Sequence, residues 1–139
     1  MRLFLDTNVL YDLFEKSRPF HVESRDLIGL GIQGRVELIL TAVSITTVIY
    51  SLRKYGMPMK ILVERLNVIV SHVEIPPTGA IEVIKGINSG WSDLEDAIQF
   101  YSAISAGRID AIVSNDKDFK QQKLVPVLTP AQALKKVKE

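Results

Sequence analysis

The sequence predicts an α/β protein of three layers, with a central parallel sheet covered by helices on both faces. Three observations carry that expectation. Short apolar runs of strand length recur along the chain, at residues 3–5, 36–40, 72–75, 109–114 and 125–128. Between them lie longer segments whose apolar residues fall at helical spacing. The first run, Leu3-Phe4-Leu5, also lacks polar alternation, as expected of a strand buried on both faces.

The elements follow in order. The run ends at Asp6, and Val9, Leu10, Leu13 and Phe14 then mark one face of a helix. Asp6 is thus expected at the carboxyl end of a central strand, where open α/β sheets bind ligands. Asp6 and Thr7 also suit a helix N-cap, so position alone leaves both roles open. Pro19 and Phe20 close the first helix, His21 opens a second, and Gly34-Arg35 turns into the strand VELIL. Thr41 to Ser44 reads as loop and cap for a third helix, broken by Gly56-Met57-Pro58. Residues 60–70 form a fourth helical pattern, and HVEI is a strand stopped by Pro76-Pro77. Thr78 is read as the cap of a helix carrying Ile81, Ile84 and Ile87. Ser92 starts the next helix, to about Ala106, with Ser92 and Glu95 at capping-box spacing. IDAIVS is a buried strand, residues 115–120 a polar loop or single helical turn, and 125–128 the last strand. Thr129-Pro130 opens a terminal helix. With neither repeat nor linker in its 139 residues, the chain is expected to form a single domain over 1–139.

Composition removes several chemistries. The chain has no cysteine, which excludes thiol catalysis, disulfides and zinc–thiolate sites. It contains no apolar run of membrane-spanning length and no secretory pattern, so a cytoplasmic protein without membrane contact is expected. A net charge of +1 implies no polyanionic partner by itself, although Lys117, Lys120, Lys123, Lys135, Lys136 and Lys138 make the end of the chain basic. His21, His72 and Trp91 read as ordinary structural residues.

What remains is a pattern of acids. Asp6 ends the first strand. Asp116 and Asp118 follow the strand through Val113, in SNDKDF, and Asp93, Glu95 and Asp96 open the helix before that strand. Three segments can therefore bring carboxylates to one rim of the sheet. Carboxylates held a few ångströms apart raise one another's pKa unless a cation sits among them. Hard oxygen donors without cysteine or a histidine pair suit Mg²⁺ or Mn²⁺. Such a centre can activate a water and neutralise charge on a phosphodiester. Asn8 and Ser114 are placed to orient the acids or hold waters. Asp93 also suits the helix dipole, and Asp118 is read as the cap of the turn ending at Phe119.

These motifs resemble a known family. LDTNVL (residues 5–10), the acid-rich D-x-E-D-A start at Asp93 to Ala97 and S-N-D-x-D-F at Ser114 to Phe119 are similar to those of PIN-domain ribonucleases. The likeness is greatest to the small VapC-like members of toxin–antitoxin pairs, and it extends to T-P-x-x-A at Thr129. The resemblance implies a Mg²⁺- or Mn²⁺-dependent endoribonuclease that forms homodimers and meets a cognate antitoxin. It places Asp6, Asp96 and Asp116 as catalytic metal ligands with Asp93 auxiliary, Ser114 and Asn8 beside them, and Lys117 and Lys120 on RNA phosphates. One family acid, on the helix after the second strand, has no counterpart, since no acid occurs between Glu37 and Glu64. That departure favours one metal, with Asp93 or Glu95 supplying the missing charge. It also motivates the alternative of a degenerate domain that binds RNA or a protein without cutting. A phosphoacceptor signalling domain would want paired acids at the first strand end, which this chain lacks.

Overall fold

The computed structural model describes all 139 residues. In chain order the elements are β1 (Arg2–Leu5), α1 (Thr7–Phe14), α2 (His21–Ile32), β2 (Glu37–Ile39), α3 (Ala42–Lys54), α4 (Met59–Val70) and β3 (Val73–Glu74). There follow α5 (Ala80–Ile87), α6 (Leu94–Ser105), β4 (Ala111–Val113), a 3-10 turn (Asp118–Gln121), β5 (Val127–Leu128) and α7 (Pro130–Lys138). All strand pairings are parallel and the sheet runs β3-β2-β1-β4-β5. The chain builds outward from β1 to the β3 edge, then returns to β4 on the other side of β1. This reversal opens a crevice at the carboxyl ends of β1 and β4, the usual ligand position in such sheets.

Leu3, Phe4 and Leu5 are fully buried, and pairing sets Leu3 beside Leu38 and Ala111. The two-residue alternation divides them between two cores. Leu3 and Leu5 join Leu38, Leu40 and Val113 under α1, α2, α3, α4 and α7, while Phe4, Ile39 and Ile112 pack with Phe100 and Ala103 of α6. The three expected layers are present.

Helix α5 lies on α6 through Gly86, not through isoleucines. A Cβ at Gly86 would stand 2.5 Å from Ile98 Cγ1 and 2.9 Å from Ile98 N, so only glycine permits this approach. Ile81, Ile84 and Ile87 consequently face outward and are more than half exposed.

Helix starts depart from expectation in three places. Thr41 itself caps α3, accepting from Ser44 N at 3.2 Å, so the helix begins at Ala42. Thr78 does not cap α5; Gly79 holds that position, its amide donating to Glu82 Oε2 at 2.8 Å, and Thr78 Oγ1 pairs with Ser102 Oγ at 2.9 Å. The Ser92–Glu95 capping box does not form either. Asp93 is the N-cap of α6, its Oδ1 accepting from Asp96 N at 3.1 Å. Asp93, one residue nearer the helix, thus takes the cap, a role its carboxylate suits. At the other end of the chain, Thr129 caps α7 with Gln132 as expected. No helix is long and apolar enough to cross a membrane.

Candidate metal centre and active site

Asp6 leaves β1 with its amide bonded to Val113 O at 3.0 Å, which locks it to the end of β4. It occupies the N-cap position of α1, yet its side chain makes no capping bond. The carboxylate turns instead to Ser114, whose Oγ donates to Asp6 Oδ2 at 2.8 Å and accepts from Asp116 N at 2.9 Å. Asp116 Oδ1 in turn accepts from Asp118 N at 2.9 Å. The Asp116 side chain thus closes a tight turn onto the first residue of the 3-10 turn, whose N-cap position is Lys117, and the Asp118 carboxylate makes no capping bond.

The Asp118 carboxylate joins the acids of α6. Carboxylate oxygens of Asp93, Asp96 and Asp118 all lie within 4.8 Å of one another. The sequence sets Asp118 on the acid-bearing segment and reads it as a cap; the structure makes it a member of the cluster, two residues after Asp116 within one tight turn. Burial first, and then the charges of Asp6, Asp93, Asp116 and Asp118, push the Asp96 carboxyl up from 3.8 to about 8. Asp6 rises to about 6, again chiefly by burial, with the Ser114 hydrogen bond opposing the shift and Asp116 and Asp93 adding to it. None of the chain's ion pairs reaches these five acids.

Three aromatic contacts fix the loops that carry them. Phe119, fully buried, meets Phe4 edge-on with centroids 5.8 Å apart and Trp91 at 5.9 Å. Trp91 stacks on Phe100 at 5.4 Å, confirming its packing role. The loop bearing Asp116 and Asp118 is thereby pressed against the segment leading to Asp93.

Helix α3 contributes hydroxyls and no acid. Ser44 Oγ donates to Gln99 Oε1 at 2.6 Å, Gln99 Nε2 donates to Thr7 Oγ1 at 3.0 Å, and Thr7 and Ser44 are themselves 3.0 Å apart. This closed ring ties α1, α3 and α6 together below the acids. Gln99, one turn beyond Asp96 on the same face, was not anticipated. Glu95 reaches across to α3, where Thr47 Oγ1 donates to its Oε1 at 3.1 Å. Lys117 and Lys120 are exposed and line a hollow of about 140 Å³ beside Asp116. Asn8 is exposed on α1. His21 and His72 bond the carbonyls of Asp12 and Val68, as structural residues do.

The donor set fits a hard divalent cation. It offers only oxygens, three carboxylates converge, and burial makes the charge of one of them, Asp96, costly unless a cation compensates it.

A parallel sheet in this strand order, with acids clustered at the β1/β4 crevice, defines the class, and the comparisons agree. The PIN-domain family model matches residues 3–124, and the chain belongs to that family. Within it the chain falls in the VapC-like subgroup. Ribonuclease VapC1 of Aquifex aeolicus (strain VF5) is 33% identical over 123 residues, covering 85% of this chain and 83% of that protein. The fold is similar to that in the crystal structure of VapBC2 from Rickettsia felis bound to a DNA fragment from their promoter, with TM-score 0.65 and 15% identity over 93% of this chain and 98% of that one. It is similar also to VapBC-1 from nontypeable Haemophilus influenzae, with TM-score 0.66 and 14% identity over 94% of this chain and 99% of that one.

Proposed function

We propose that this protein is a single-domain endoribonuclease of the cytoplasm that hydrolyses RNA phosphodiester bonds with Mg²⁺ or Mn²⁺, and is the toxin of a toxin–antitoxin pair. The observation that carries the reading is the convergence of Asp6, Asp93, Asp96, Asp116 and Asp118 at one strand-end crevice without a balancing cation from the protein. Asp93, Asp96 and Asp118 would hold the metal, with Asp6 and Asp116 closing the site. Held by these residues, a divalent cation would supply a more acidic water and charge compensation for the scissile phosphate.

The chain's own groups do the rest. Ser114 aims Asp6 inward, and its bond keeps that carboxylate ionised more readily than burial alone would allow. Asp6 is thus placed to accept the proton of the attacking water. Lys117 and Lys120 flank the rim and position backbone phosphates without reading sequence. Glu95, held by Thr47, sets a carboxylate beside α3, which has none of its own.

The partners follow from the relatives. Two similar structures are VapBC complexes, which supports a cognate antitoxin for this chain. The outward isoleucines of α5, each more than half exposed, support a homodimer. The test is cleavage of single-stranded RNA by the purified protein in Mg²⁺ or Mn²⁺. Cleavage is expected to vanish in EDTA and in Asp6→Asn with the fold intact; equal activity in either refutes the mechanism.

The acid-free helix α3 favours one competing reading, a domain that binds RNA or a protein partner without cutting. Retained RNA binding together with no heat of divalent binding in calorimetry would select it.

A further inference from the structure

Beside the acid rim, between α1 and α3, lies a cleft of about 270 Å³. Asn8, Tyr11 and Arg18 line one wall, and Thr47, Ser51 and Tyr55 the other. The cleft is tied to the candidate site through two of its lining residues. Thr7 follows Asp6 and belongs to the ring with Ser44 and Gln99, and Thr47 donates to Glu95, which opens the helix carrying Asp96.

The chemistry of the cleft is opposite to that of the rim. No acid lines it. Arg18 is anchored through Nε to the buried Asp12 at 2.5 Å and lies 4.6 Å above the Tyr11 ring, so the guanidinium is held in place rather than free to swing. Tyr55, at the C-terminal cap of α3, is 77% exposed and offers an open ring. The Asn8 amide, the Ser51 hydroxyl and both tyrosine hydroxyls carry no hydrogen bond within the protein. A fixed cation, an open aromatic face, an amide that both donates and accepts, and free hydroxyls are what an unpaired nucleotide needs for its phosphate, base face, base edge and ribose.

We propose that this cleft is a base-recognition subsite for the nucleotide flanking the scissile phosphate. It rests on the ribonuclease reading. Tyr55 stacks the base, Asn8 and Ser51 bond its edge and ribose, and Arg18 meets a phosphate. The lysines of the opposite rim contact only backbone, so sequence preference in cleavage arises on the α1–α3 side.

The experiment has two arms. In the first, wild-type protein in EDTA is titrated with the four nucleoside monophosphates, ribose 5-phosphate and inorganic phosphate, followed by amide NMR. Nucleotides are expected to shift residues 8, 11, 51 and 55, with ribose 5-phosphate binding at least about five-fold more weakly, the lower end of base stacking. In the second, a random single-stranded RNA pool is cut with Mn²⁺ present and the new ends are sequenced. Wild type should show a base preference at one position beside the cut, and Tyr55→Ala should flatten it and raise KM, an exposed substitution that leaves the core untouched. Equal binding of nucleotide and ribose 5-phosphate, shifts confined to the acid rim, or a preference unchanged in both Tyr55→Ala and Ser51→Ala would overturn the subsite. The two readings fail separately: a protein that cuts no RNA ends the nuclease reading, while the titration still decides the cleft.

Discussion

Ser114 Oγ donates to Asp6 Oδ2 at 2.8 Å, spanning the gap between the ends of β4 and β1. The same oxygen accepts from the Asp116 amide, so one small hydroxyl sets both the direction of Asp6 and the turn that delivers Asp116 and Asp118. Ser114→Ala should therefore lower RNA cleavage about 10- to 100-fold, as loss of a supporting bond at a metal site does. Its cost in stability should be about 1–3 kcal/mol, for a buried acceptor left without its donor. Single-turnover kinetics and thermal denaturation check both. Full activity would mean that Asp6 needs no such support.

The pH profile of the metal-free protein tests the electrostatics. A carboxyl whose folded pKa exceeds its unfolded value binds its proton more tightly in the folded chain, so stability falls as pH rises between the two values. For Asp96 that window runs from 3.8 to about 8, and for Asp6 from 3.8 to about 6. In EDTA the Tm contribution of these groups should be fully favourable near pH 4, decline by several degrees towards pH 8, and be restored at pH 8 by added Mg²⁺. A Tm that is flat across this range and indifferent to Mg²⁺ would count against the cluster.

Phe119 anchors the acid-bearing turn from below. Phe119→Ala should cost about 3–5 kcal/mol, the usual penalty for emptying a buried aromatic site. Conservative Phe119→Leu should retain the fold, yet weaken Mn²⁺ binding by loosening Asp118 against Asp93. Calorimetry on Phe119→Leu separates positioning from packing, since a purely structural role would leave Mn²⁺ affinity unchanged.

Gly86 is the contact on which α5 sits. Gly86→Ala should destabilise the protein by about 1–3 kcal/mol, because the clash includes the backbone nitrogen of Ile98 and the helices must part. Urea denaturation reads this directly. A neutral or stabilising effect would show that α5 can move away without loss.

These residues also show how far sequence reading reaches. The buried strand at Leu3 to Leu5 and the acid that ends it are legible because a strand buried on both faces leaves a continuous apolar run. Asp96 and Asp116 could be placed on the same rim because strand order follows from alternating β and α segments. Asp118 lies on the same segment but reads as a cap, because the two-residue spacing from Asp116 suggests without deciding that the Asp118 amide bonds the Asp116 carboxylate at 2.9 Å. The Ser92–Glu95 pairing matched a motif, but the helix starts one residue later, where Asp93 caps it on the Asp96 amide. Likewise, isoleucines at helical spacing on α5 mark a face without saying whether it turns inward; the close approach at Gly86 settled that.

The most direct measurement of the central claim is a Mn²⁺ titration of wild-type protein and Asp96→Asn by isothermal calorimetry at pH 7.5. If the acids at the start of α6 and in the turn after β4 converge to hold a cation, wild type binds Mn²⁺ and Asp96→Asn, folded by circular dichroism, binds it at least ten-fold more weakly. Equal affinity in the two proteins, or no binding in the wild type, would contradict the account.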